Sequence, residues 1–175
     1  MTYINNENLG GYSIGSMLFG WMLDNFPEGS KILELGSGTG TIELCRFYDV
    51  MSIENDIDYM NIANSRYVYA PIVNYGNYKW YELGPIIRHT KDFDYDLILV
   101  DGPSGAIGRE GILHNLHAFN TDVTIVIDDT HREQEKQLAN DLAKLLNRDM
   151  IEILDNSKSS KEDVVCSSIA LTKKG

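Results

Sequence analysis

The sequence predicts an α/β fold built as one doubly wound sheet, mostly parallel, with an antiparallel hairpin at one edge. Three observations lead there. The runs Leu97-Ile98-Leu99-Val100 and Val123 to Ile127 have no polar face, as expected of strands covered by helices on both sides of a parallel sheet. Apolar stripes at helical spacing alternate with such strands along the chain. A glycine-rich turn, Gly36 to Gly40, falls directly between a strand and a helix.

Taken in order, Ile14, Met17, Leu18, Trp21 and Met22 lie at helical spacing behind Ser13, which predicts a helix over 13–25 capped by that serine and ended by Pro27 and Gly29. Lys31 to Leu35 is a strand. The glycine turn follows it, and then a helix through Ile42, Leu44, Cys45 and Phe47. Val50 to Glu54 reads as a second strand, Ile57 to Arg66 as a helix, and Val68 to Asn74 as a third strand. The fourth and fifth strands are the two unbroken apolar runs. Between them, Ile112, Leu113, Leu116 and Phe119 form one helical stripe; after them, Leu138, Leu142, Leu145 and Leu146 form another. The tail reads as two strands, Ile151 to Leu154 and Val164 to Leu171, joined by the polar stretch Asn156 to Asp163. At 175 residues the expectation is a single domain, with residues 1–30 as a helical segment ahead of the sheet.

Fifteen Lys and Arg against 26 Asp and Glu give a net charge of −11, which repels nucleic acid and anionic lipid rather than gathering them. Cys45 and Cys166 match no metal-ligand spacing and read as reduced thiols. With neither a leader pattern nor a membrane-spanning apolar run, the expected location is cytoplasmic.

In Glu34-Leu35-Gly36-Ser37-Gly38-Thr39-Gly40 the glycines let the backbone turn sharply and let a ligand approach it, and Glu54 ends the next strand, where an acid binds ribose hydroxyls. A nucleoside ligand follows; an ordinary glycine turn is the plain alternative. Thr41 stands where a dinucleotide site wants a third glycine, and the Lys-Ser/Thr of a P-loop is missing. The spacing resembles the first motifs of the class I S-adenosylmethionine-dependent methyltransferases, which have a Rossmann-like fold. That resemblance implies S-adenosylmethionine (SAM) as cofactor. It assigns the glycine loop, Gly36, Ser37, Gly38 and Gly40, to the methionine and ribose portions, Glu34 to the methionine amino group, and Glu54 with Asn55 to the ribose. Tyr75 and Gly76, after the third strand, become candidates for adenine, and Asp101 with Gly102 completes the cofactor contacts.

Asp101-Gly102-Pro103 follows the fourth strand and Asp128-Asp129-Thr130-His131 the fifth, so both should open onto one edge of the sheet. Hard oxygen ligands such as Asp101, Asp128 and Asp129 suit Mg²⁺ or Mn²⁺. This arrangement resembles the metal-dependent catechol-type O-methyltransferases, with Asp129 in place of an asparagine. A closer likeness, to the glucuronoxylan 4-O-methyltransferase family, runs through Ile53-Glu54-Asn55-Asp56, Tyr95 to Pro103, Gly108-Arg109 and Asp129 through Arg132 to Glu135. It implies methyl transfer to a sugar-type or small hydroxylated acceptor, with Asp101, Arg109, Asp129 and Arg132 at or near the site. His131 is a candidate general base. The plainer readings stand beside these: Asp128 or Asp129 as a helix cap, His131 as a surface residue, and Arg109 paired with Glu110 or another acid rather than with substrate. His89, His114 and His117 read as surface or packing residues, and the aromatic segment Tyr75 to Tyr81 as packing against the sheet edge. A nucleic-acid methyltransferase is disfavoured because the turn after the fourth strand is Asp101-Gly102-Pro103-Ser104, not an Asn/Asp-Pro-Pro-aromatic one. A cofactor-binding protein without catalysis, or a transferase of another part of the cofactor, is the remaining alternative. With no room for a separate recognition domain, a small acceptor or a partner subunit that completes the pocket, as in a homo-oligomer, is expected.

Overall fold

A computed structural model describes residues 14–159 and 165–174. The helix α1 (Ser16–Asn25) leads into β1 (Lys31–Leu35), α2 (Thr39–Leu44) and β2 (Asp49–Glu54). Then come β3 (Arg66–Tyr69), a small hairpin of β4 (Ile72–Asn74) and β5 (Lys79–Tyr81), and α3 (Leu83–Thr90). The remainder is β6 (Leu97–Val100), α4 (Gly111–His114), β7 (Thr124–Ile127), α5 (Glu133–Leu146), β8 (Arg148–Ser159) and β9 (Val165–Lys173). Seven strands form one sheet in the order β3-β2-β1-β6-β7-β9-β8, while β4 and β5 pair apart from it. Five strands, β3 through β7 in that order, are parallel; β9 pairs antiparallel with both β7 and β8. This is the doubly wound α/β sheet with an antiparallel edge hairpin that the apolar runs predict.

Alternation along the strands explains the two cores. On one face Ile32, Leu97, Leu99 and Val126 pack under Leu18 and Met22 of α1 and Leu44 of α2. On the other, Leu33, Leu35, Ile98, Val100 and Ile127 pack against Trp80, Tyr81, Ile86 and Ile112, and against Leu138 and Leu142 of α5. α5 ends at Asn147, whose left-handed φ of 53° suits an Asn C-cap. No described helix is long and apolar enough to cross a membrane.

Several local expectations are corrected. Residues 57–66 are not a helix: a single 3₁₀ turn, Ile57–Tyr59, is all that forms, held by Asp58 N–H donating to the Asp56 carboxylate. Ile57 stays 76 % exposed, so no apolar face is buried, and the Asn and Ser side chains that follow compete with the backbone for hydrogen bonds. The expected strand over 68–74 is broken after Tyr69, because Pro71 has no N–H for the ladder. The chain then leaves the sheet into the β4–β5 hairpin. Helix α3 is unexpected. Pro85 falls in its first turn, where the missing proline N–H would be unpaired anyway. The stripe Ile112 to Phe119 is a four-residue α turn followed by a 3₁₀ turn, Leu116–Ala118, rather than one helix. β8 runs into the stretch expected to be loop. The Ser13 cap and residues 160–164 lie outside the described residues; Gly15 stands at the N-cap of α1.

Trp80 is fully buried against α4, where the absent side chain of Gly111 admits its indole. Trp80→Ala should therefore lower unfolding free energy by roughly 3–5 kcal/mol. Leu145→Ala, in the same predicted stripe as Leu142 but 62 % exposed, should cost less than about 0.5 kcal/mol. Denaturant unfolding of both variants measures the contrast.

Candidate functional site

Because β2, β1, β6 and β7 are parallel, their carboxyl ends share one edge, and the backbone ladder continues past them. Gly36 N–H donates to Ile53 (2.9 Å), Asp101 N–H to Leu35 (3.0 Å) and Asp128 N–H to Val100 (3.1 Å). Strand order reverses between β1 and β6, where doubly wound folds bind ligands. At that seam Gly36 (φ 85°) meets Gly102: a Cβ on Gly36 would lie 2.7 Å from the Gly102 Cα, and one on Gly102 would lie 2.5 Å from the Gly36 Cα. Only bare backbone fits on either side. A Cβ on Gly40 would likewise collide with the Ile14 backbone, at 2.8 Å.

Glu54 ends β2 with its carboxylate fully engaged. One oxygen accepts from Ser37 N–H (2.7 Å) and the Ser37 hydroxyl (3.1 Å), the other from the N–H groups of Asn55 (2.6 Å) and Asp56 (2.7 Å). It therefore ties the glycine loop to the end of the neighbouring strand. Glu34 points below the loop. Ser52 (2.5 Å) and Thr41 (3.0 Å) donate their hydroxyls to it, and Thr41 Oγ1 also accepts from Gly38 N–H (3.0 Å). Burial, opposed by those two hydrogen bonds and reinforced by Glu54, pushes the Glu34 carboxyl up to about 8. It is thus a neutral acid at pH 7 that supports the loop from beneath.

On the other side of the seam Arg109 governs the geometry. Its guanidinium, 5 % exposed, donates to the carbonyls of Asp101 (2.5 Å) and Asp128 (2.9 Å) and pairs with the carboxylates of Asp101 (3.1 Å) and Asp129 (2.9 Å). Burial opposes its charge, but Asp101, Asp129 and Asp128 outweigh that and raise its pKa. Asp129 takes a left-handed φ of 60° and receives a second cation, Arg132, at 3.1 Å. Asp128 turns away, accepting from the Ser168 hydroxyl (2.6 Å) and from Asp129 N–H (2.8 Å). Burial first, then repulsion from Asp128, pushes Asp101 above the usual carboxylate range while Arg109 pulls it back; Asp128 is raised by burial and by Asp129.

This arrangement corrects two expectations. The three aspartates do not converge on one point: one oxygen of Asp101 and one of Asp129 pair with guanidinium groups, and Asp128 is turned to Ser168. Among the described residues no group of three or more His, Cys, Asp or Glu converges for an ion. Arg109 is not open to an acidic acceptor either, since its donors are spent on the ends of β6 and β7. The helix-cap alternative is also not realised: α5 has no side-chain cap. His131 follows in the turn with its Nδ1 buried and unpartnered, so no neighbour orients it as a base. Tyr75 and Gly76 lie at the tip of the β4–β5 hairpin, not directly after β3; Tyr75 stacks on Tyr78 (5.2 Å) and donates to the Tyr81 carbonyl (3.2 Å). Pro71 is the residue that could have announced this. Thr41 and Ser52, the partners of Glu34, were missed, and only their position beside a buried acid reveals them.

No protein-family model matches the chain, and no curated protein matches it. Solved structures do. A Pyrococcus furiosus methyltransferase superposes with a TM-score of 0.58 at 13 % identity, over 90 % of this chain and 82 % of that one. A TehB-like SAM-dependent methyltransferase from Corynebacterium glutamicum gives 0.53 at 20 % identity, over 90 % and 85 %. A Streptococcus mutans protein in complex with SAH gives 0.52 at 11 % identity, over 88 % and 95 %. The fold is the Rossmann-like fold of SAM-dependent methyltransferases.

Two outcomes follow from the charges. Arg109→Ala leaves Asp101 and Asp129 without their buried partner and should cost roughly 3–5 kcal/mol in denaturant unfolding; Arg109→Lys should recover only part, as one ammonium cannot span the same acceptors. The folded-state value of Glu34 near 8 exceeds its ordinary value of 4.5. Its stabilising contribution is therefore complete below that lower value and declines as pH rises toward 8, with a slope of up to about 1.4 kcal/mol per unit. Unfolding free energies measured from pH 4.5 to 8 should show the decline in the wild type and a shallower one in Glu34→Gln, because Asp101 and Asp128 contribute the same sign.

Proposed function

We propose that this protein is a SAM-dependent methyltransferase acting on the hydroxyl of a small hydroxylated or sugar-type acceptor. The observation that carries the reading is the Gly36–Gly102 seam at the strand-order reversal, with Glu54 closing the adjacent strand. Support for this cofactor comes from the chemistry at the switch point: the glycine turn between β1 and α2 opens there, and the Glu54 carboxylate closes β2 beside it. On this reading Ser37, Gly38 and Gly40 form the turn on the methionine and ribose side, and Glu54 with Asn55 stands on the ribose side.

Bound SAM supplies a methyl group on a cationic sulfur. When bound it would give that methyl group to the acceptor oxygen and keep the carbon–sulfur electron pair on sulfur, and Asp101 would take the proton released by the acceptor hydroxyl. A carboxyl raised above its ordinary range is better matched to that proton than a solvated aspartate. Arg109 and Asp129 position Asp101 and touch neither reactant. The likeness of Asp101-Gly102-Pro103 and Gly108-Arg109 to the glucuronoxylan enzymes supports a sugar-type acceptor.

Calorimetric titration with S-adenosylhomocysteine (SAH) should give saturable binding, weakened roughly tenfold or more in Glu54→Gln, which keeps the shape and loses the charge. Absence of binding to the wild type would refute the cofactor. Labelled-methyl transfer to uronic acids and catechols then identifies the acceptor class.

A further inference from the structure

A cavity of about 550 Å³ opens at the carboxyl edge, between Gly105 in the loop after β6 and Arg132 to Glu135 at the start of α5. Its volume falls in the range of small-ligand sites, roughly 300–1,000 Å³. Arg132 connects it to the aspartates: this side chain is 3.1 Å from Asp129, which pairs with Arg109 at 2.9 Å, and Arg109 reaches Asp101 at 3.1 Å.

Among the described residues the lining contains no apolar side chain, whereas small-molecule pockets are mostly apolar. Its chemistry is donors and acceptors alone. Glu135 is 2 % exposed; one carboxylate oxygen is 3.9 Å from Arg132, and the other has no hydrogen-bond partner among the described residues. A buried carboxylate oxygen without a donor is costly, and a ligand in the cavity can supply that donor. Unspent donors stand beside it. The N–H groups of Glu133, Gln134 and Glu135 precede the first helical bond, from Lys136 to Arg132 (3.0 Å), and no side chain caps them.

A hydroxyl meets both needs, because it donates and accepts. A catechol ring would find no apolar surface to lie on. An acidic acceptor would meet Glu133 and Glu135 against one guanidinium that Asp129 already holds, and like charges brought together are unfavourable.

We infer that this cavity holds the methyl acceptor and that the acceptor is an uncharged polyol, with one hydroxyl donating to the free Glu135 oxygen. The inference rests on the function proposed above and narrows its acceptor class, since neither a uronic acid nor a catechol matches this lining.

Saturation-transfer NMR on the full chain, with and without SAH, compares methyl glucoside, methyl glucuronoside and catechol. Methyl glucoside should bind, and the other two at least about fivefold more weakly. Glu135→Gln keeps the shape and replaces one acceptor oxygen with a donor, so it should weaken methyl glucoside roughly five- to tenfold. Glu133→Gln, at an exposed position, should improve the glucuronoside roughly two- to fivefold. Glucuronoside or catechol binding as tightly as the glucoside overturns the inference, as does a glucoside affinity in Glu135→Gln within twofold of the wild type. Should Glu135→Gln fail to fold, an unchanged glucuronoside affinity in Glu133→Gln overturns it instead. Each of these results leaves the cofactor assignment standing where calorimetry shows that the wild type binds SAH. Failure of the wild type to bind SAH removes the methyl-transfer reading, and this acceptor site with it.

Discussion

A single buried guanidinium sets the geometry of the whole carboxyl edge. Arg109 gathers the carbonyls at the ends of β6 and β7 together with the carboxylates of Asp101 and Asp129, so two strands that meet only through four-residue ladders are pinned where the ladder stops. Everything that faces the seam inherits its position from this clamp. Asp101 is oriented by it, Gly102 follows Asp101, and the contact of Gly102 with Gly36 decides how closely the two halves of the sheet approach. A buried ion pair is weak evidence for net stability, because desolvation offsets much of the attraction. What it does supply is specificity of arrangement: few side chains other than arginine could satisfy several spread acceptors at once.

Much of the fold was legible because burial leaves a periodic trace. β6 and β7 announce themselves as runs with no polar face, as expected of strands covered on both sides, and α5 carries the complementary stripe through Leu138 and Leu142. Where the sequence misled, the cause was local chemistry overriding a pattern. Residues 57–66 contain apolar residues at plausible intervals but nothing for them to pack on. Pro71 cuts what reads as one strand, and Pro85 disguises the start of a helix. Periodicity cannot weigh these, since the outcome depends on which neighbours the rest of the chain provides.

The site was legible in its residues and not in its pairing. Gly36, Gly102, Glu54 and the aspartates after β6 and β7 do reach the same edge, because parallel strands leave no other choice. Which cation neutralises the aspartates is a different question. Clustered carboxylates require positive charge from somewhere, and a divalent ion and an arginine from elsewhere in the chain meet the need equally well on paper. Arg109 lies eight residues beyond Asp101 in a segment without regular structure, so no spacing rule connects them. Likewise, nothing in Tyr75 to Tyr81 distinguishes the tyrosine that stacks near the surface from the one that ends in the seam.

The electrostatic balance of that edge bears on what it can hold. Glu54, Asp101, Asp128 and Asp129 crowd a region served by Arg109 and Arg132, and burial with mutual repulsion raises Asp101 and Asp128 toward their neutral forms. Glu34 would add to that repulsion were it ionised, yet burial keeps it neutral at pH 7. A cationic guest would shift this balance back toward the ionised carboxylates, since its charge is worth more in a low-dielectric setting. A sulfonium is such a guest, and once its methyl group is transferred the sulfur becomes neutral and that attraction disappears. On the proposed reading these carboxylates would hold the methyl donor more tightly than its spent form, which is the direction of discrimination that turnover requires.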